Sequence, residues 1–409
     1  MYLCPLIYFD DMEELFDFFY RELRKTDLSF QRYLMADIDW EGRLSAITGA
    51  RGTGKTTLIL QHIKSTFGNS PKEALYVSAD NIWFSGNRLF DLANDYEKLG
   101  GRYLFIDEVH KYENWSQEIK NIYDNFSNLK VVITGSSMLQ IYRGNADLSR
   151  RAVHYTLNGL SFREFLKYDQ QIDFGKITLE EILQNHIEIA GTLNDRIRPL
   201  PLFNAYLKQG YYPYYKIDKR FYLSKLANTV NLVLEMDLPS VEKIEMYSIR
   251  KIKKLLWIIS KSVPFTPNIT VLAQNLDVSR NSILNYLTIL ERGGLVNLLH
   301  SHSKGIKSLA KPEKIYLNNT NQIYAFEANK PDIGNLRETF FLNQLKVVGK
   351  VTSADRADFI VCDNYVFEVG GKNKGHEQIV GLKNSWLALD NIEYGYGNKI
   401  PLWLFGLLY

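Results

Sequence analysis

Leu44-Ser45-Ala46-Ile47-Thr48-Gly49-Ala50-Arg51-Gly52-Thr53-Gly54-Lys55-Thr56-Thr57 is the stretch that decides the fold. A short apolar strand, Leu44 to Thr48, runs straight into a glycine-rich loop, and a helical pattern follows from Thr56 to about Phe67. Gly49 to Thr56 fits G-x-x-x-x-G-K-[ST]. In that motif backbone N–H groups turn inward to cradle phosphate oxygens, and the following helix adds its positive N-terminal end. Lys55 is expected to reach the β- and γ-phosphates, and the Thr56 hydroxyl to ligate Mg²⁺. Gly49, Ala50, Arg51, Gly52, Thr53, Gly54, Lys55, Thr56 and Thr57 are therefore the expected nucleotide-binding residues. A glycine-rich turn that matches by chance would lack the strand before it and the helix after it.

Such a site needs an acid at the end of a neighbouring strand. Tyr103-Leu104-Phe105-Ile106-Asp107-Glu108 supplies two, about fifty residues downstream. Asp107 is assigned to the Mg²⁺ shell, and Glu108 to positioning and polarising an attacking water as general base. The next strand, Val131-Val132-Ile133-Thr134-Gly135-Ser136-Ser137, is expected between these two. Thr134, Ser136 and Ser137 are candidates to sense the γ-phosphate, and Ser136 is chosen, although polar residues at a strand end are also ordinary turn formers. Arg150-Arg151 follows. A guanidinium near the γ-phosphate stabilises transition-state charge, from the same chain or a neighbouring copy, and Arg151 is the candidate; a surface pair is the plain alternative.

Working outward, strands at 74–77, 103–106 and 130–134 alternate with helices, including one at 115–126. That alternation predicts a parallel α/β sheet with crossovers. Residues 11–35 read as a helix capped by Asp10-Asp11, with Met12, Leu15, Phe16 and Phe19 on one face. From Ser161 to about Ser240 the pattern is mostly helical, broken at Gly210-Tyr211-Tyr212-Pro213. Short helices and strands near 295–299 and 314–316 follow. The last part reads as a helix, strands at 359–361 and 365–369, a helix near 376–388, and a buried apolar strand from Pro401 to Tyr409.

With these motifs in view, the chain resembles the AAA-superfamily ATPases. It is most similar to the prokaryotic group that joins such an ATPase to a C-terminal domain often described as restriction-endonuclease-like. The resemblance rests on Ile47–Thr57, on Leu104-Phe105-Ile106-Asp107-Glu108-Val109-His110-Lys111 and on Ile133–Ser137. It extends to Leu160-Ser161-Phe162-Arg163-Glu164-Phe165 and Leu207-Lys208-Gln209-Gly210-Tyr211-Tyr212-Pro213. The resemblance implies ATP with Mg²⁺ rather than GTP. It also leaves oligomeric assembly open. The expected organisation is an ATPase domain at 1–165, a helical lid at 166–240, a winged-helix domain at 241–330 and a small nuclease-like α/β domain at 331–409.

Residues 269–295 carry the winged-helix expectation. Leu272, Ala273 and Leu276 form one apolar face, Asp277-Val278-Ser279 the turn, and Ile283, Tyr286, Leu287 and Leu290 the next face. Ser279 is the expected N-cap and Gly293-Gly294 the stop. In a winged module the second helix enters the major groove, which would turn Arg280, Asn281, Asn285 and Thr288 toward DNA. The 49 Lys and Arg against 46 Asp and Glu leave only +3 over 409 residues, but the charge is unevenly placed. Residues 241–330 carry +7, residues 331–409 carry −1 and residues 1–240 carry −3. The +7 makes residues 241–330 the candidate DNA contact. Much of it lies in Arg250, Lys251, Lys253 and Lys254, which also suits the solvated face of a helix.

In the last segment Glu338, Asp358 and Glu368 match the acids with which restriction-type nucleases hold Mg²⁺, a possible second metal site. The lysine two positions after the last acid is missing: residue 370 is Gly, and Lys372 comes two residues late. A relic without cleavage is therefore favoured, and Glu368 paired to Lys372 is the simpler reading. His300 and His302 could share a strand face, but no third ligand is near.

Composition bounds the rest. Hydrophobic residues at 45% and charged residues at 23% exclude a disordered, collagen-like or coiled-coil chain. Two distant cysteines, Cys4 and Cys362, exclude a disulfide framework and a zinc ribbon, and point to a reducing cytoplasm. The N-terminal residues lack the pattern of a signal peptide, and no apolar stretch approaches the roughly 20 residues of a membrane span.

Overall fold

A computed structural model describes residues 7–69, 71–135, 148, 150–239, 244–261, 264–302, 311–326 and 331–409. The chain divides into two compact units, Met1–Asn158 and Gly159–Tyr409.

The first unit is built on five parallel strands. They are β1 (Leu44–Thr48), β2 (Ala74–Ser78), β3 (Tyr103–Asp107), β4 (Lys130–Gly135) and β5 (Val153–Thr156), in the order β2-β3-β4-β1-β5. Strand β4 thus stands between the loop strand and the Asp-Glu strand, as expected. Each central strand is a nearly unbroken apolar run because helices cover both faces of a parallel sheet. Those helices are α1 (Ile7–Lys25), α2 (Lys55–Phe67), α3 (Leu89–Lys98) and α4 (Trp115–Asn125). All five residues of β1 are buried, and so are all five of β3.

Helix α1 presents Met12, Leu15, Phe19 and Leu23 to this core, a stripe at three- and four-residue spacing. Truncating Leu15, 1% exposed, to alanine removes about 2–5 kcal/mol, the usual range for a filled core position. The helix begins by Ile7 and stops at Lys25, so Asp10 and Asp11 lie within it rather than capping it.

The second unit opens with α5 (Phe162–Gln170), α6 (Leu179–Asn194), α7 (Pro199–Gln209) and α8 (Tyr222–Leu232). Ser161 with Glu164, and Thr178 with Glu181, close reciprocal capping boxes at the starts of α5 and α6. Helices α9 (Met246–Ser260), α10 (Ile269–Leu276) and α11 (Arg280–Arg292) come next, followed by an antiparallel pair, β6 (Val296–Leu299) and β7 (Lys314–Leu317). Ser279 caps α11 by accepting from the Ser282 N–H at 3.0 Å.

After α12 (Thr320–Phe326) and α13 (Ile333–Val348), a mixed sheet of β8 (Val351–Ser353), β9 (Phe359–Val361), β10 (Tyr365–Gly371), β11 (Ser385–Asp390) and β12 (Lys399–Pro401) closes the unit. Two expectations fail here. The helix near 376–388 is absent: Gly381 has a left-handed φ of 77°, and Ser385 onward pairs in parallel with β10. The apolar end is buried, but Leu402–Leu407 forms a 3-10 helix rather than a strand. Every side chain of that turn is apolar and enclosed, which suits a helix surrounded by core. The turn is tied back to the start of the unit, where Ser161 Oγ and Arg163 Nε both donate to the Tyr409 carbonyl.

Among the described residues no helix is long and apolar enough to cross a membrane.

Candidate active site

The loop after β1 is shaped by its glycines. Gly52 and Gly54 adopt φ of 85° and 96°, the left-handed region closed to most side chains. A Cβ on Gly49 would stand 2.3 Å from the Leu157 carbonyl oxygen. Thr53 pins the turn, its N–H and hydroxyl both bonding the Ala50 carbonyl, at 3.3 and 2.9 Å. Lys55, 4% exposed, lays its ammonium across the loop, donating to the Gly49 carbonyl at 3.0 Å and the Ala50 carbonyl at 3.2 Å. Arg51 is half-buried and Thr57 exposed.

Across the sheet, Asp107 is almost fully buried and accepts from three hydroxyls. Thr56 donates at 2.6 Å and Tyr76 at 3.0 Å to one oxygen; Thr134 donates to the other. Burial pushes the Asp107 carboxyl up, the Thr134 and Thr56 hydroxyls pull it down, and the upward push prevails. Thr134 also accepts from the backbone N–H of Glu108 at 3.0 Å. One hydroxyl at the end of β4 therefore fixes both acids of β3.

Glu108 stands at φ 50° and ψ 37°, a left-handed conformation for a residue with a side chain, and this ends the strand alternation. Its Oε2 is buried without a hydrogen-bond partner, although the His110 Nε2 lies 3.2 Å away; that contact has the distance of an ion pair but not hydrogen-bond geometry.

The fit to a nucleotide with Mg²⁺ rests on these residues. The glycine positions exclude side chains from the cradle, a lysine lies over it, and a threonine hydroxyl meets a carboxylate where a hard cation takes oxygen ligands. Thr56 and Asp107 are the residues that would hold Mg²⁺.

Two functional contacts escaped the sequence. Arg32, 5% exposed, donates to the Thr53 carbonyl and, at 2.7 Å, to that of Asn158, so it clamps the loop from outside. Tyr76 supports Asp107 from the adjoining strand β2. Neither lies in a motif; the aromatic-apolar run of β2 reads only as core.

Arg151 requires a correction. It precedes β5, which runs parallel to β1 with Val153 opposite Ser45, so it sits at the strand-start edge of the sheet. The phosphate loop lies at the opposite, strand-end edge, where ligands gather in open parallel sheets. There Arg151 forms a two-pronged ion pair with Asp124, at 2.9 and 3.0 Å. From there it does not reach the loop after β1 of its own chain. Ser136 and Ser137 lie outside the described residues.

In the second unit, Glu338 of α13, Asp358 just before β9 and Glu368 of β10 are brought together. Burial first, then the nearby Asp358 charge, raises both Glu338 and Glu368. The expected partner of Glu368 is wrong: the Lys374 ammonium, not Lys372, reaches its Oε1, at 2.5 Å. The Gly370-Gly371 turn carries the chain past, and Lys372 lines a cleft with Arg337, Asn373, Lys374 and Asn391. Arg280, Asn281 and Asn285 of α11 are exposed, whereas the Thr288 hydroxyl turns back to the Leu284 carbonyl at 3.0 Å. Lys251 donates to the Leu276 carbonyl and Lys253 pairs with Glu235, which leaves Arg250 and Lys254 exposed. His302 faces Thr352 at 3.2 Å, and its region holds no metal cluster among the described residues.

Residues 41–166 match the family described as an AAA domain, and residues 200–329 match a domain of unknown function (DUF8612). The chain is 25% identical over 332 residues to an uncharacterized protein of Methanocaldococcus jannaschii, MJ1637, covering 74% of this chain and 70% of that one. Among solved structures, the Walker-type ATPase PABY2304 of Pyrococcus abyssi aligns over 77% of this chain and 95% of its own, at 11% identity and a TM-score of 0.39. DnaA of Aquifex aeolicus bound to AMPPCP aligns over 68% and 88%, at 15% identity and a TM-score of 0.26. With its loop, its paired acids and its five parallel strands, the stretch 41–166, which matches the AAA domain family, has the α/β fold typical of P-loop ATPases.

Proposed function

We propose that the first unit binds ATP with Mg²⁺ and hydrolyses it. The observation that carries this reading is the hydroxyl-carboxylate cluster of Thr56, Asp107 and Thr134 beside the Lys55 loop, with Glu108 held next to it. Backbone amides of the loop and the start of α2 receive the phosphates. Lys55 exchanges its two carbonyl partners for β- and γ-phosphate oxygens, a stronger charge-assisted contact. Mg²⁺ supplies neutralisation of phosphate charge. Glu108 takes the proton of the attacking water, and Ser136 is kept as the γ-phosphate sensor. Phosphate release by the Glu108→Gln variant is the test: turnover equal to that of the unaltered protein removes Glu108 from the mechanism.

The output of the cycle is a contact made by the second unit. Helices α9–α11 and the β6–β7 hairpin are read as a winged helix. Its exposed Arg280, Asn281 and Asn285, with Arg250 and Lys254, favour nucleic acid over an acidic partner. Steady-state phosphate release with and without duplex DNA separates a DNA-coupled ATPase from a switch that holds ATP without turnover. The grouping of Glu338, Asp358 and Glu368 supports a further reading, a divalent-cation site in the C-terminal sheet. Comparing plasmid nicking by Asp358→Ala and the unaltered chain tests whether it cleaves.

A further inference from the structure

Strand β7 of the hairpin does more than pair with β6. Its first residue, Lys314, sends its ammonium to Asp358 Oδ1 at 3.3 Å and to Glu338 Oε2 at 3.5 Å. Two residues on, along the same strand face, Tyr316 donates its hydroxyl to the same Glu338 oxygen at 2.6 Å. Asp358 is held in place from the other side, its Oδ2 accepting from the Val369 N–H at 3.0 Å. The hairpin therefore reaches into the acid cluster of the C-terminal sheet.

The cluster is not balanced by what it contains. Three carboxylates face two ammonium groups, Lys314 and Lys374. Lys374 engages only Oε1 of Glu368; Oε2 is buried with no hydrogen-bond partner, in a residue 2% exposed. Lys314, Asp358 and Glu368 line one cleft of about 490 Å³ together with Asp355, Arg356 and Glu377, so acids still outnumber cations there. Among the described residues no three acid, histidine or cysteine side chains converge closely enough to hold a metal ion as they stand. The side chain between two of the acids is a lysine. A divalent cation and an ammonium draw on the same carboxylate oxygens, so each weakens the hold on the other.

We propose that Lys314 is a built-in competitor for a divalent cation at Glu338, Asp358 and Glu368, so that the hairpin gates the site. With the ammonium seated, the cation is excluded. When an anionic group such as a nucleic-acid phosphate draws Lys314 away, the cation enters and the free Glu368 oxygen gains a ligand. The proposal rests on the reading of these acids as a cation site.

The test uses the full chain without nucleotide and Mn²⁺ as the probe, with bound and free ion counted by electron paramagnetic resonance. Lys314→Met keeps the length of the side chain and removes its charge. It should bind one Asp358-dependent Mn²⁺ at least about tenfold more tightly than the unaltered chain, and adding Asp358→Asn should erase the gain. Equal Asp358-dependent affinity in the two proteins overturns the gate while leaving the cation site standing. Binding indifferent to Asp358 in both overturns the cation site itself. Thermal melting checks each variant, and Lys314→Gln repeats the comparison with a polar side chain if the methionine variant does not fold.

Discussion

The Thr56 hydroxyl donates to Asp107 Oδ2 at 2.6 Å, joining the first turn of α2 to the end of β3 across 51 positions of sequence. This bond sets the spacing between the phosphate loop and the acids. Asp107→Asn keeps the shape but removes the charge. We expect Mg²⁺-dependent ATP affinity, measured by titration calorimetry, to fall about tenfold or more, since an ionised acceptor roughly doubles the strength of such bonds. Undiminished Mg²⁺ dependence would separate Asp107 from the cation.

Lys55→Ala removes the ammonium laid over the loop. ATP affinity should fall by about 100-fold, near 2.7 kcal/mol, while the melting temperature changes little. A fluorescent ATP analogue reads the affinity. Loss of less than about threefold would show that the loop amides alone hold the phosphates.

Glu108→Gln leaves size and hydrogen-bonding capacity but cannot accept a proton. Binding should persist while phosphate release drops by about 10²–10⁴, the usual contribution of a positioned base.

Thr134→Val deletes the hydroxyl that serves Asp107 and the Glu108 N–H together. Two buried partners are left unsatisfied, so stability in urea should fall by about 1–3 kcal/mol. Turnover should fall more than ATP affinity, because the loop itself is untouched. Equal losses of both would mean a general loss of packing.

Stability should also depend on His62. Burial lowers its imidazole from 6.5 to about 4, beneath Trp40, whose ring stacks on it at 3.8 Å. The unfolded chain takes up a proton near 6.5, whereas the folded protein does so only near 4. The contribution is therefore complete above pH 6.5 and is lost as pH falls toward 4, by up to about 3 kcal/mol. His62→Phe keeps a ring for the stack and removes this part of the slope. Urea midpoints at pH 7 and 4.5 that shift equally in both proteins would contradict it.

The loop, the paired acids and the order of the central strands were legible because each is written in contiguous residues whose spacing has one mechanical use. Arg32 was not, since its role is to reach two carbonyls whose positions depend on the finished fold. Arg151 misled for a related reason: adjacency in sequence to an active strand says nothing about which end of a parallel sheet a residue occupies. Lys374 found Glu368 because two glycines let the chain turn, a path that spacing alone assigned to Lys372. The false helix at 376–388 came from apolar residues whose partner was a neighbouring strand rather than a helical face.

The bonds from Ser161 and Arg163 to the Tyr409 carbonyl set a timetable for synthesis. Every strand of the first unit lies before residue 158, so its sheet can condense while the rest of the chain is still being made. The second unit has no such liberty. Its opening helix finds its partner about 250 residues later, and contacts that distant in sequence form slowly. At a translation speed of about 5–20 residues per second, that interval is roughly ten seconds to a minute during which the apolar faces of α5 and α6 await the final turn. The first unit is thus ready well before the unit it is proposed to act through.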